Sequence, residues 1–458
     1  MKTPLVTVEG GSASLGSFLR EGADAAERER ARVTLANLSR RLQRELSLRE
    51  PPIRVEEGVE GARVGFRGIA GTVRILGREI DIAPKYAAGA NDAWRSALVA
   101  MVDRSAPRRA SFTRTSQLQL KHRTFLDQFA YGFALELEAA TQHADVRVYR
   151  SKRAELRQLR GRLRVVDQLR TTLTRPGILV CDVDSLETDN PTNRLLHWVG
   201  ARLLVLINDP RVRRRLSDQL AKLPDVSQPV SLPTPLSAVL PRQYQHYRGA
   251  VELALAFARG RTTFPGSSDV GGAGFVLGTE RLFESFVERS LAVAVGARNG
   301  WDVRAQVTEV FAVPFDEGRA YFSKPDNIVY RDDAPVLIVD AKYKRFIDAT
   351  ETMKGDRPSN ADLYQMAAAA LAHGCRKALL LYPRMRTDEE MGDVPWAIRW
   401  WNVAGAGEPP IRVGAAGVDL DLLTSPAGLT LFDSKLSSLI DGAWSLGEST
   451  TSSDIKAI

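Results

Sequence analysis

Two apolar runs decide the fold of the C-terminal half of this chain: KPDNIVY at residues 324–330 and VLIVDAKYK at residues 336–344. Both are rich in β-branched residues, and the short segment between them carries Asp and Pro residues that suit a turn, so the stretch predicts a β-hairpin. Because side chains alternate along a strand, Asp340 and Lys342 should project from the same face, with Asp326 near them on the other arm. The sequence therefore predicts two carboxylates and an ammonium together at the edge of a buried sheet.

This combination of side chains is typical of a site for metal-dependent phosphodiester hydrolysis. Asp326 and Asp340 are expected to bind Mg²⁺, or Mn²⁺ in its place, through carboxylate oxygens, while the Ala341 carbonyl and water molecules add further ligands. Lys342 is expected to orient or activate the attacking water and to stabilise the transition state. An Asp-x-Lys on a strand more commonly marks a solvated strand end. Here it ends the apolar run 336–339, where unpaired buried acids would be costly.

Two predicted helices flank the hairpin and offer supporting polar groups. Glu284 lies beside an apolar helical face and could supply another metal ligand or hold a water, and Gln365 could contact Lys342 or a DNA phosphate. Taken alone, each is more often an ordinary polar residue on a helix surface. The candidate catalytic set is Asp326, Asp340, Lys342, Glu284 and Gln365, and the candidate metal ligands are Asp326, Asp340, Ala341 and Glu284.

The order of predicted elements divides the chain into an N-terminal region, a C-terminal domain and a tail. Residues 1–240 predict a mixed α/β region that ends in a proline-rich linker or covering segment at 224–242. Residues 241–445 predict an α/β (α+β) domain, and the Ser- and Thr-rich tail 446–458 predicts disorder. The expected helices are 17–47, 92–102, 124–142, 195–207, 247–258, 279–295 and 360–373; the expected strands outside the hairpin are 64–68, 71–75, 79–86, 303–315, 377–383 and 396–403.

Composition and charge narrow the class of protein. The 458 residues carry a formal net charge of +8, which favours a polyanionic partner such as nucleic acid. The two cysteines, Cys181 and Cys375, exclude a disulfide scaffold or a cysteine-rich zinc module. No N-terminal run has the length of a signal peptide and none approaches the about 18 apolar residues of a membrane span, so a cytoplasmic protein without a membrane role is expected. No P-loop spacing occurs, so we expect no nucleotide to bind this chain.

The most basic part of the chain lies between residues 147 and 164. One interpretation is a solvated amphipathic helix and strand; the other is a surface that contacts DNA phosphates or an acidic partner. Without interleaved aromatic residues, base stacking has no support, and both interpretations stay open. The residues assigned to DNA or partner contact are Arg147, Arg150, Lys152, Arg153, Arg160, Arg162 and Lys344.

A polar loop at residues 184–194 precedes the helix expected at 195–207. Asn190 or Thr192 could cap this helix. Its acidic residues could suggest a second metal site, but loop and cap chemistry explains them more simply.

These motifs resemble the PD-(D/E)XK nuclease superfamily and, within it, the McrC family of modification-dependent restriction systems. Asp326, Asp340, Ala341 and Lys342 match the family's Asp and Asp-x-Lys core, and Tyr343-Lys344 continues it. The further matching segments are Leu282-Phe283-Glu284, Tyr364-Gln365, the strand-turn-Pro-Lys element at 71–85, the Arg-Gly-Arg signature in 159–163 and the Asp-x-Pro-x-Asn-Arg element in 188–194.

The resemblance implies a DNA endonuclease subunit that works with an McrB-like AAA+ GTPase or ATPase hexamer. Its N-terminal half would stimulate the motor, and its C-terminal restriction-endonuclease-like domain would cut double-stranded DNA in antiphage defence, with paired subunits for a double-strand break. Two alternatives remain: a non-catalytic adaptor that retains the nuclease fold, and a nuclease directed at RNA.

Overall fold

The computed structural model describes residues 5–19, 22–58, 61–75, 78–87, 92–105, 124–227, 240–262, 274–316, 318–344, 358–385, 396–405, 409–425 and 427–445. The tail 446–458, for which the sequence predicts disorder, lies outside these residues, as does most of the proline-rich segment.

Helices and strands mix throughout the described residues, as the α/β class predicts. The strands are β1 (Leu5–Val8), β2 (Ser12–Ser14), β3 (Ile53–Gly58), β4 (Gly61–Phe66), β5 (Ile69–Ile75), β6 (Arg78–Ala83), β7 (Val148–Leu156), β8 (Arg162–Leu163), β9 (Leu179–Glu187), β10 (Arg261–Thr262), β11 (Gly274–Gly278), β12 (Trp301–Ala305), β13 (Glu309–Ala312), β14 (Tyr321–Ser323), β15 (Asn327–Arg331), β16 (Ala334–Ala341), β17 (Lys377–Arg384), β18 (Arg399–Asn402) and β19 (Arg412–Asp419). The helices are α1 (Ala25–Glu45), α2 (Trp94–Arg104), α3 (Phe125–Ala140), α4 (Val165–Thr174), α5 (Pro191–Leu206), α6 (Pro210–Leu220), α7 (Arg248–Gly260), α8 (Thr279–Val295), α9 (Asn360–Ala372) and α10 (Gly428–Ser445).

The chain forms two compact units, and they do not divide at residue 240. One unit joins Met1–Phe129 to Gly260–Ile458, and the other is Ala130–Arg259. The N-terminal segment therefore folds with the C-terminal half, because β11 inserts into the N-terminal sheet between β5 and β10. The functional division of the chain near residue 240 stays a prediction.

The N-terminal sheet of the first unit has the order β1-β6-β5-β11-β10. The pairing of β5 with β11 needs a glycine at Gly71, where φ is +129° and a Cβ atom would lie 2.3 Å from the Phe275 carbonyl oxygen. Helix α1 packs beside β3. It begins at Ala25 and not near residue 17 as predicted, because Asp24 and Glu27 form a capping box that starts the helix there.

The sheet that holds the predicted hairpin has the order β12-β15-β16-β17-β19-β18. The hairpin is confirmed: β15 and β16 are antiparallel, and Asp332 and Asp333 both have positive φ, as a tight two-residue turn requires. The apolar strand β16 is central, since β17 pairs with it in parallel on its other side. Helix α9 packs on β16, β17 and β19, and α8 contacts β16 and β12.

The prediction of a single strand over 303–315 is wrong, because the chain turns at Gln306, whose φ is +55°. Its first part is β12 in the main sheet, and its second part is β13, which pairs with β14 in a separate ribbon. The turn places the Gln306 N–H 3.0 Å from the Asp326 carbonyl oxygen, so it lies directly beside the predicted site.

The second unit contains the antiparallel pair β7 and β9, extended by β8. One interpretation of the basic stretch at 147–164 is an amphipathic helix and a strand. The structure forms the strand there, as β7. Asn190 caps α5, as predicted, by accepting a hydrogen bond from the Asn193 N–H at 3.1 Å. Asn193 in turn donates to the carbonyls of Val146 and Thr188, at 2.9 and 2.8 Å.

Candidate active site

The two predicted aspartates meet where the hairpin arms lie side by side. Asn327 pairs with Val339, so Asp326, just before β15, is adjacent to Asp340 near the end of β16. The Ala341 N–H donates to Asp326 Oδ2 at 3.0 Å, which fixes this carboxylate against the neighbouring strand. Asp340 is 3% exposed, so water cannot solvate its carboxylate. The buried carboxylate therefore needs a charged partner.

Lys342 supplies that partner. Its Nζ lies 2.7 Å from Asp340 Oδ2 and donates to Gln365 Oε1 at 2.9 Å. The Lys342 backbone N–H donates to the Leu381 carbonyl at 2.8 Å, so the residue is held to β17 although it follows the last residue of β16. The structure thus brings Gln365 to the ammonium group, one of the two contacts considered for it.

Glu284 on α8 belongs to the same group of acids. Burial, followed by repulsion from Asp326, Glu280 and Asp340, raises the pKa of Glu284 to about 7. Burial and the charge of Asp340 raise the pKa of Asp326 to about 6. Burial is the larger cause of both shifts, and the repulsion between these carboxylates adds to it.

An open cleft of about 490 Å³ borders these acids. Its lining includes Asp326 and Glu284, and the basic residues Arg281 and Arg49 also face it. Arg49 comes from the connection after α1, so the N-terminal segment forms part of the wall. The cleft offers both acids that could hold a cation and cations that could contact an anionic ligand.

The carboxylates of Asp326 and Asp340 are oxygen donors of the kind that Mg²⁺ uses in proteins. Among the described residues, no three His, Cys, Asp or Glu side chains are arranged to hold a metal ion by themselves. Mg²⁺ commonly uses one or two carboxylates and keeps several waters, so Asp326, Asp340 and the Ala341 carbonyl would suffice. Burial, and after it the repulsion from neighbouring carboxylates, raises the pKa of Asp326 and Glu284, and a bound cation would favour the ionised form of both acids.

Asp362 is a site residue to which the sequence analysis gave no role. It is buried on α9, accepts from Lys344 Nζ at 2.7 and 3.0 Å, and lies 4.0 Å from Lys342 Nζ. Burial alone would raise the pKa of Asp362, but hydrogen bonds from Lys344 and Ser359 outweigh it and lower the pKa. The sequence did contain one indication of this role: Asp362 lies three residues before Gln365, so both side chains are on the same face of the helix. Lys344, assigned to DNA or partner contact, is thus ion-paired and half exposed.

The remaining residues assigned to DNA or partner contact belong to the second unit. Arg147 precedes β7, Arg150, Lys152 and Arg153 lie on β7, and Arg160 and Arg162 flank Gly161. Glu187 forms ion pairs with Lys152 and Arg150, and Asp167 with Arg153, so part of this charge is neutralised within the unit.

The Arg-Gly-Arg signature has a structural reason. Gly161 has a φ of +74°, and a Cβ atom there would lie 2.2 Å from the Asp182 carbonyl oxygen. Only glycine allows this close approach.

In the polar loop at 184–194, Asp189 and Arg194 form a bidentate ion pair at 2.6 and 2.8 Å, which explains one acid of the loop without a metal ion.

Comparison with solved structures gives matches that include two Thermococcus gammatolerans assemblies, and the first shares this fold. One is a chain of the refined half-complex from the tetradecameric assembly of Thermococcus gammatolerans McrB AAA+ hexamers with bound McrC: the TM-score is 0.62 at 19% identity, over 95% of this chain and 100% of that chain. The cryo-EM structure of the Thermococcus gammatolerans McrBC complex gives a TM-score of 0.47 at 19% identity, over 64% of this chain and 88% of that chain. The first of these matches shows that the fold is that of a chain in an McrB–McrC assembly.

The sequence itself identifies the family. The model of the McrBC 5-methylcytosine restriction system component matches residues 64–383, more than two thirds of the chain. The chain belongs to this family, so the resemblance to the McrC family is confirmed. Membership of the PD-(D/E)XK nuclease superfamily stays a prediction. No curated protein sequence gives a match. Among the described residues, no helix is both long and apolar enough to cross a membrane.

Proposed function

We propose that this chain is the DNA endonuclease subunit of an McrBC-like restriction system and that it hydrolyses phosphodiesters of double-stranded DNA with Mg²⁺ at a PD-(D/E)XK site. The observation that carries the proposal is the position of Lys342 Nζ, 2.7 Å from Asp340 and 2.9 Å from Gln365, beside Asp326 on the adjacent strand. Family membership supports a role in restriction.

The side chains divide the chemical work among them. Asp326, Asp340 and the Ala341 carbonyl would hold Mg²⁺, or Mn²⁺ in its place. When bound, the ion would supply charge neutralisation at the phosphoryl oxygens and a more acidic water. The Lys342 ammonium would orient the attacking water and stabilise negative charge at the phosphate, while Gln365 holds that ammonium in place. Glu284, whose pKa is about 7, could hold a water or accept a proton at neutral pH.

The same proposal assigns an McrB-like AAA+ motor as the partner. The similar Thermococcus gammatolerans structure contains McrB AAA+ hexamers with bound McrC, and the present sequence offers no P-loop of its own. A candidate surface for such a partner lies in the second unit, where exposed apolar side chains occur on the basic strand β7, in the segment after it and on α4. They are Tyr149, Leu159, Val165, Val166 and Leu169, each more than 60% exposed. Val165, Val166 and Leu169 are neighbours at the start of α4, and contiguous exposed apolar residues commonly mark protein interfaces.

Cleavage assays with matched variants test the enzymatic part. Asp340→Ala and Lys342→Ala, each combined with the motor and Mg²⁺, should lose DNA cleavage, because one removes a metal ligand and the other the ammonium. Both should still stimulate NTP hydrolysis by the motor. Asp316→Ala, which changes an exposed loop acid in the same unit, is the control and should cut normally. Undiminished cutting by either site variant would contradict the proposal.

The same assay separates the alternatives. An adaptor without activity would stimulate the motor but show no cleavage that chelation abolishes. A nuclease directed at RNA would cut single-stranded RNA in preference to duplex DNA. A DNA endonuclease should cut the duplex and lose that activity on chelation.

A further inference from the structure

Tyr343 connects the candidate active site to the N-terminal segment. It follows Lys342 directly in the sequence, its side chain is 6% exposed, and its hydroxyl donates to Glu9 Oε2 at 2.6 Å. Glu9 lies just after β1, more than 330 residues earlier, yet both residues belong to the same compact unit. The proposed nuclease function gives neither Glu9 nor Tyr343 a task.

Glu9 is a buried acid with four donors from four segments. Its Oε1 accepts from the Gly68 N–H at 2.8 Å and from Thr279 Oγ1 at 3.2 Å. Its Oε2 accepts from Tyr343 and, at 3.3 Å, from the Lys85 N–H. Because Glu9 is only 4% exposed, these donors replace the water that a carboxylate would otherwise require. One side chain thus joins the start of β5, the end of β6, the start of α8 and the end of β16.

The Tyr343 ring is enclosed as firmly as its hydroxyl. Lys85 Nζ lies 4.1 Å from the ring centroid, in the geometry of a cation–π contact. Tyr86 meets the ring edge-on, with centroids 5.9 Å apart, and Phe283 of α8 lies 6.2 Å away. Lys85 ends the strand-turn-Pro-Lys element at 71–85, and Tyr86 follows it. The contact with the Tyr343 ring gives this element a physical role at the candidate site.

Two of the joined segments carry groups of the candidate site. Thr279 is the first residue of α8, which places Glu284 about one and a half turns further on the same helix. Tyr343 directly follows Lys342, and Lys342 lies two residues after Asp340. Glu9 therefore holds the helix of one candidate acid and the strand end of the other candidate groups through the same carboxylate. A displacement of about 1 Å between catalytic groups can lower a rate about 100-fold.

We propose that Glu9, Lys85 and Tyr343 form a positioning cluster that sets the separation between Glu284 on α8 and the Asp340–Lys342 pair on β16. The proposal rests on the nuclease function proposed above. None of the three residues touches the reacting atoms; they act by fixing the two elements that do. In this view the N-terminal segment is a structural part of the nuclease site.

The test uses the full chain with its motor and compares conservative variants. Tyr343→Phe removes only the hydroxyl, Glu9→Gln only the charge, and Lys85→Met the cation at nearly constant length. Each should lower the single-turnover cleavage rate at least about tenfold. Lys85→Arg keeps the cation over the ring and should restore the rate to within about threefold of wild type. The control is Tyr330→Phe, the same change at a buried tyrosine of β15, which should cut normally.

Two further readouts distinguish positioning from general destabilisation. Binding of Mn²⁺ to the isolated chain, followed by electron paramagnetic resonance, should weaken in Tyr343→Phe and Glu9→Gln. Motor NTPase stimulation should remain at the wild-type level. The Glu9→Gln/Tyr343→Phe double variant should be no slower than the worse single variant, because both changes break one contact.

Each result supports or overturns the inference. Wild-type cleavage by both Tyr343→Phe and Lys85→Met, in an assay where Asp340→Ala is inactive, would overturn it and leave the nuclease proposal intact. Parallel loss of cleavage, motor stimulation and thermal stability would overturn it too, since the cluster would then only maintain the fold. An inactive wild-type chain would instead contradict the nuclease proposal itself.

Discussion

Gln365→Ala tests the geometry of the candidate site through its most exposed member. The Gln365 side chain accepts from Lys342 Nζ at 2.9 Å, and its removal leaves the ammonium with Asp340 alone at close range. A hydrogen bond to a charged group contributes about 1.5–3 kcal/mol. Since Gln365 is exposed and water can replace its oxygen, we expect a cost near or below the lower end of that range, about 1–2 kcal/mol. If the contact persists in the transition state, cleavage should slow about 5- to 30-fold.

Single-turnover cleavage at saturating Mg²⁺ and motor gives the required rate. Gln365→Glu retains an acceptor oxygen and should lose less activity than Gln365→Ala. The control is Tyr364→Ala, which alters the adjacent side chain of α9, 71% exposed, and should leave the rate within about twofold of wild type. A Gln365→Ala variant that cuts as fast as this control would refute the assignment of Gln365 as the residue that holds the lysine.

Two other predictions concern the second unit. Leu169→Asp, at the exposed apolar surface of α4, should lower motor stimulation at least about tenfold without changing the thermal midpoint. The control Val205→Asp, at a similarly exposed position of α5, should leave both the stimulation and the midpoint unchanged. Equal stimulation by both variants would contradict the assigned surface. Asn193→Ala should lower the free energy of unfolding by about 1–3 kcal/mol, toward the lower end because Asn190 Nδ2 also donates to the carbonyls of Val146 and Thr188. Urea unfolding followed by tryptophan fluorescence measures this cost, and an unchanged midpoint would show that Asn193 is dispensable.

The hairpin and its acids were predictable because their signals are local. Alternating side chains, a turn of two aspartates and one apolar strand placed Asp326, Asp340 and Lys342 together before any tertiary contact was known. The helical pattern likewise gave the bounds of α8 as they occur, Thr279–Val295. Interactions between residues close in the sequence determine all of these features.

The strands that the sequence analysis did not predict, β11 and β19, depend on partners far away in the sequence. Strand β11 is five residues long, and it pairs with β5, about 200 residues earlier, through a glycine that no local pattern explains. Strand β19 is rich in glycine and alanine, which lowers its intrinsic strand preference. Gly414 is needed because the Trp400 ring packs 2.9 Å from where a Cβ of this residue would be. The pattern of β19 reflects its neighbours.

The same limit applies to the site. Glu284 and Gln365 could be proposed because each follows a recognisable helical motif, and the structure brings Gln365 to Lys342. Glu9 carries no such pattern, since a single acid after a short strand is unremarkable in sequence. Its role becomes visible only when four distant donors converge on it.

The central claim is that Asp340 and Lys342 form a metal-dependent DNA cleavage site. Its most direct test is the cleavage rate of duplex DNA by Lys342→Ala with motor and Mg²⁺, measured beside motor stimulation by the same preparation. The nuclease proposal predicts stimulation at the wild-type level and no detectable cleavage. Cleavage at the wild-type rate, abolished by chelation as in the unaltered chain, would contradict it and place the active site elsewhere.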